Sequence, residues 1–116
     1  MKKENWYKFQ EWIAQELKEL DPYTRCTKGS GNGGEKGDVK NNVGLNIECK
    51  CYKTKSPYNQ EWLDKVNTEI PLHSDKIGIV ITENKNKVKV VHLSWDDFWE
   101  MYKDAYSYKN PSANGF

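Results

Sequence analysis

Apolar residues recur at helical spacing near the start of the chain. Trp6, Phe9, Ile13, Leu17 and Leu20 form one stripe, which predicts an amphipathic helix over Lys3 to Leu20 that stops at Asp21-Pro22. The pattern then changes: Tyr23 to Thr27 reads as a short strand and Lys28 to Glu35 as a glycine-rich loop. Lys36 to Lys40 and Leu45 to Tyr52 flank Asn42-Val43-Gly44, a hairpin pattern with glycine where a left-handed backbone is needed. On its second strand, alternation turns Leu45, Ile47, Cys49 and Cys51 to one face and Glu48 and Lys50 to the other. Asp38 is expected directly across from Glu48.

Further along, Ser56-Pro57 predicts the cap and first turn of a second helix, which carries Trp62, Leu63, Val66 and Ile70 and ends at Pro71. Lys76 to Thr82 reads as a buried strand, turned at Asn84 to Asn86 into a last strand over Lys87 to Leu93. Ser94 caps a third helix running to about Tyr106, with Asp96 and Asp97 in the first turn where the helix dipole favours them. Periodicity fades from Ser107, so residues 107–116 are expected to be a mobile tail. The order αβββαββα implies an α/β fold, a mixed central sheet flanked by helices in one domain over residues 1–106.

At 116 residues the chain can bury one core, so a large ligand must bind on its surface or between copies. The net charge of +1 announces no nucleic-acid binder, but its distribution is uneven. From Arg25 to Lys55, seven basic residues stand against Glu35, Asp38 and Glu48, an excess of four. No apolar run is long enough to span a bilayer, and the first residues lead into an amphipathic segment, so a soluble cytoplasmic protein without membrane partners is expected. Cys26, Cys49 and Cys51 are odd in number, and with only His73 and His92 beside them they lack zinc-site spacing. They read as reduced core thiols.

Two carboxylates across a strand pair make a hard-oxygen site suited to Mg²⁺, with Mn²⁺ as a substitute, completed by the Cys49 backbone carbonyl and waters. Lys50 beside them can position an attacking water and stabilise charge on a phosphate, while the metal lowers the pKa of that water. Those parts fit phosphodiester hydrolysis. They do not fit acyl transfer, because no serine or cysteine has an evident histidine partner. Taken alone, Glu48 and Lys50 are also what a solvated strand with alternating charges would carry. The glycine-rich loop lacks a P-loop ending, but its backbone, with Lys28 and Ser30, can approach a DNA phosphate; Lys36 adds charge, and Lys53, Lys55 and Gln60 follow the active strand. Trp62, Trp95, Trp99 and Tyr102 are expected in core or dimer packing rather than base stacking. His73 and His92 have no mechanistic partner in the sequence.

Helix, strand, glycine-rich loop, Gly37-Asp38, Glu48-Cys49-Lys50 and a following helix together resemble the PD-(D/E)xK nuclease superfamily, and within it the small phage and archaeal Holliday junction resolvase-like endonucleases. The similarity covers Trp6 to Tyr102, with Gly37 in place of the motif's proline. It implies a restriction-endonuclease-like core, Asp38 and Glu48 as metal ligands, Lys50 as the residue assisting the nucleophile, and a phage or prophage origin. It also implies branched or structured DNA as substrate, products with a 5′-phosphate and a 3′-hydroxyl, and a homodimer. The family adds a first-helix glutamate to the site; Glu16, which flanks the apolar face, is preferred, with Glu11 and Glu35 as the other candidates. A nicking or restriction-like nuclease, or a noncatalytic DNA-binding or assembly module, are the alternatives.

Overall fold

The computed structural model of the chain describes residues 5–27 and 38–110. Its elements are α1 (Asn5–Leu17), β1 (Arg25–Cys26), β2 (Val39–Lys40), β3 (Leu45–Cys51), α2 (Gln60–Thr68), β4 (Ile77–Glu83), β5 (Lys89–His92) and α3 (Trp95–Lys109). Among the described residues the fold is α/β, with three helices, a mixed three-stranded sheet in the order β3-β4-β5 and a small antiparallel pair of β1 and β2.

Strand β3 lies parallel to β4, with Ile47 opposite Ile79 and Glu48 opposite Val80, and α2 makes the crossover between them. Alternation along both strands supplies two different faces. On one, Ile47, Cys49, Ile79 and Ile81 pack with Val39 beneath Phe9, Ile13 and Ala14 of α1, forming the main core. On the other, Val80 packs with Leu63 and Val66 of α2, and Trp62 covers them. Gly78 permits that close approach: a Cβ there would come within 2.5 Å of Asn67 Oδ1 and 3.0 Å of Val66 Cγ2. Asn46, on the same face, donates from Nδ2 to the Val66 carbonyl at 2.8 Å and ties β3 to α2.

The expected α1 stripe ends at Leu17, and Leu20 is exposed in the following turn. Asp21 marks that stop for a structural reason: its buried carboxylate accepts the N–H groups of Tyr23 at 3.0 Å and Asn42 at 2.7 Å, pinning the turn to the hairpin loop. Within the loop, Gly44 has φ +87°, as expected for a left-handed position, and Asn41 Oδ1 accepts the N–H groups of Val43 and Leu45. The expected single sheet is divided, however. Among the described residues β2 pairs with β1 and not, as a ladder, with β3. One backbone bond links the hairpin arms ahead of the loop, Asp38 N–H to the Ile47 carbonyl at 2.7 Å, so Asp38 is not directly across from Glu48.

Two helix boundaries also differ from expectation. Asn59, not Ser56, caps α2 by accepting the Glu61 N–H at 2.9 Å, because an asparagine side chain in extended backbone meets that donor as well as a serine would. Ser94 caps α3 as expected, accepting the Asp97 N–H, but the helix continues through Ser107 to Lys109. Apolar periodicity records burial, and α3 buries no residue, so its pattern could not mark its end. Residues 111–116 of the expected tail lie outside the described residues. Among the described residues no helix is long and apolar enough to cross a membrane.

Candidate active site

Among the described residues no strand pairs with the β3 edge beyond Ile47, and the side chain of Asp38 bonds the main chain there instead. Its backbone is held on both sides, the N–H by the Ile47 carbonyl and the C=O by the Thr27 N–H at 3.1 Å. From that fixed position Oδ2 accepts the Cys49 N–H at 2.7 Å. Asp38 therefore reaches the Glu48 to Lys50 stretch although its backbone pairs one residue earlier. The convergence comes from side-chain reach.

Glu48 is buried on the α2 face of β3. Its Oε1 stands 3.3 Å from Lys50 Nζ and 3.6 Å from Lys65 Nζ, which enters from α2. The Lys50 ammonium also lies 5.3 Å from the centre of the Trp62 ring, which stacks on Tyr52. Gln10, Asp38, Glu48, Cys49, Lys50, Cys51 and Tyr52 line an open cleft of about 310 Å³.

Burial pushes the Asp38 carboxyl up from the ordinary 3.8 to about 6. The Cys49 N–H opposes that rise, the Glu48 carboxylate adds to it, and Lys65 and then Lys50 pull back. Burial likewise raises the Cys49 thiol, with Asp38 and Glu48 adding to the effect, so this thiol is no nucleophile at neutral pH. Cys51 is also raised, by burial and by its contact with Glu83. Neither Cys49 nor Cys51 is in a disulfide.

The structure brings Asp38, Glu48, Lys50 and Cys49 together. Glu16 is not brought there: it is exposed, about a third of a turn around α1 from the residue that does line the cleft, the buried Gln10. Glu11 is half-buried beside a different hollow, with Arg25 and Cys26. Lys53 and Lys55 are exposed on the segment between β3 and α2. Gln60 is exposed but engaged, accepting from the Tyr58 hydroxyl and donating to Asp64. Lys28, Ser30, Glu35 and Lys36 lie outside the described residues.

Sequence reasoning missed Gln10 and Lys65. Gln10 shares the buried stripe with Ile13 and Ala14, three and four residues on, so a polar residue embedded in an apolar face was the available signal. Lys65 follows Trp62 by three residues, which places it on the side of α2 that overlooks the charged face of β3.

Among the described residues no cluster of three or more His, Cys, Asp or Glu side chains could hold a metal ion. The two-carboxylate donor set still fits Mg²⁺, which is commonly held by one or two carboxylates with waters and substrate phosphate filling the remainder. Burying Asp38 beside a second carboxylate, at a cost visible in its raised pKa, is the arrangement a hard dication would relieve. Among the described residues the cleft holds no nucleophile and base for acyl transfer: His92 bonds Thr82 Oγ1 at 2.9 Å, makes a tilted ring contact with Tyr58 and does not line the cleft. No protein-family model, curated protein or solved structure matches the chain.

Proposed function

We propose that the protein is a metal-dependent endonuclease of the PD-(D/E)xK type that hydrolyses DNA phosphodiester bonds, acting on branched or otherwise structured DNA. The observation that carries this reading is the meeting of Asp38, Glu48 and Lys50 in one cleft beside β3. The parallel β3 and β4 joined through α2, with α1 on the opposite face, support the restriction-endonuclease-like core that belongs to the same proposal.

Asp38 and Glu48 would hold Mg²⁺ or Mn²⁺, with the Cys49 carbonyl as a further oxygen ligand. The bound cation supplies Lewis acidity at a phosphoryl oxygen and a lowered pKa for coordinated water. The chain's own groups do the rest. The Cys49 N–H fixes the orientation of the Asp38 carboxylate. Lys50 Nζ, within hydrogen-bonding range of Glu48, orients the water for in-line attack and faces the charge that develops on the phosphate. Lys65 Nζ, half-exposed at the rim, meets a non-bridging oxygen, and the Gln10 amide can accept from or donate to the water. Lys53 and Lys55, exposed on the segment after β3, would contact the substrate backbone. A junction has two equivalent strands to cut, so a homodimer is part of the proposal.

The test is incubation of the purified protein with supercoiled plasmid, linear duplex and a four-way junction in Mg²⁺, Mn²⁺ or EDTA. Metal-dependent cleavage with preference for the junction is expected. Cleavage of plasmid or duplex without that preference points to a nicking or restriction-like enzyme. Binding to any of these DNAs without cutting in either metal overturns the enzyme and leaves a DNA-binding module.

A further inference from the structure

We infer that α3 is a self-association surface, through which two copies of the chain pair antiparallel, aromatic face against aromatic face. The inference does not rest on the nuclease reading. Helices α1 and α2 each bury an apolar stripe against the sheet, whereas α3 runs for 15 residues without a single buried side chain. Yet Trp95, Phe98, Trp99, Tyr102 and Tyr106 fall on one of its faces at intervals of three or four residues, the spacing that forms a helix-pairing seam. Their rings contact one another along the helix, with centroids from 5.4 Å between Trp95 and Trp99 to 6.5 Å between Tyr102 and Tyr106. Each is between 40% and 65% exposed, and an apolar hollow of about 370 Å³ lies among Trp99, Tyr102 and Tyr106.

The area suits a second copy. At about 200 Å² per aromatic side chain, the exposed part of the five rings amounts to about 500 Å². Two such faces together bury about 1,000 Å², the size at which a specific interface begins, and the patch lies in the upper part of the range a monomer exposes. Charge selects the orientation. Asp96 and Asp97 occupy the first turn and Lys109 the last. Antiparallel pairing sets the acidic turn of each helix beside the lysine of the other and opposes the two helix dipoles, whereas parallel pairing would bring like charges together. Tyr102 is the midpoint of Trp95–Lys109, so a two-fold axis beside it overlays the two ladders along their length.

Sedimentation equilibrium of the full chain across the micromolar range tests this. The wild type is expected to form a dimer whose fraction rises with concentration. Phe98→Glu/Tyr102→Glu should be monomeric with an unchanged far-UV spectrum, since neither ring is buried within the protomer. Lys109→Glu should weaken the dimer several-fold, and adding Asp96→Lys in the same chain should restore it. A wild type that stays monomeric throughout overturns the inference and leaves the ladder to residues 111–116 or to another protein. A dimer that survives Phe98→Glu/Tyr102→Glu also overturns it, and a Lys109→Glu dimer that Asp96→Lys does not restore overturns the antiparallel arrangement. Mass alone is read, so these outcomes are separate from the loss or presence of DNA cleavage.

Discussion

At Asp38, burial and a neighbouring carboxylate raise the proton affinity of a side chain that the fold nevertheless holds in place through the Cys49 N–H. The consequence for stability has a definite sign. Between the ordinary 3.8 and about 6, the folded chain binds the Asp38 proton more tightly than the unfolded chain does. Stability therefore falls as pH rises through that window, by about 2–3 kcal/mol if Asp38 acts alone. Asp38→Asn, whose amide oxygen can still accept the Cys49 N–H, should stabilise the metal-free protein by about that amount at pH 8 and much less at pH 4. Urea unfolding in EDTA at the two pH values measures it, and an equal difference at both would contradict the assigned electrostatics. Mn²⁺ affinity should rise with pH as the same proton is lost. At the rim, Lys65→Ala should weaken DNA binding and reduce its logarithmic salt slope by about 1, the signature of one lost phosphate contact. A salt slope equal to the wild type's would remove Lys65 from the interface. Asp38, Glu48 and Lys50 were legible in the sequence because their chemistry follows from residue type and strand alternation. Gln10 and Lys65 were not, because Gln10 reaches the cleft and Lys65 reaches Glu48 only through the docking of their helices.

Among the elements, β3 and β4 were legible as apolar runs with clear turn signals, and both helices that cover them showed their stripes. Register and helix starts were harder. The hairpin loop closes as its glycine requires, but backbone pairing of β2 with β3 gives way to a side-chain bond from Asp38, which strand alternation alone cannot specify. The start of α2 turned on which of two capping residues the chain uses, and Asn59 has the donor in reach. Asn59→Ala should therefore cost about 1 kcal/mol of stability, while Ser56→Ala should fall within the small range of exposed substitutions. Thermal unfolding compares them, and a larger loss at Ser56 would return the helix start to Ser56-Pro57. The third helix was legible at its beginning and illegible at its end, because an unburied helix leaves no burial pattern to read.

For the whole molecule, a net charge of +1 gives little long-range attraction to DNA, so the proposed function requires affinity to come from local groups around the cleft. Those groups sit where two layers meet: α1 supplies Gln10 from one side of the sheet and α2 supplies Lys65 from the other, about the Glu48 to Lys50 stretch of β3. The parallel β3-α2-β4 unit makes that meeting possible, because it sets a helix over the charged face of β3 while α1 seals the apolar face. Hydrolysis at this junction of layers is the central claim. Its most direct test is the single-turnover cleavage rate of a four-way junction in Mg²⁺ for the wild type and for Asp38→Asn, Glu48→Gln and Lys50→Ala, each shown to be folded. The account predicts cleavage by the wild type, none detectable for the two carboxylate variants, and a rate lowered by about 100-fold or more for Lys50→Ala. Wild-type rates in all three variants would place the chemistry elsewhere.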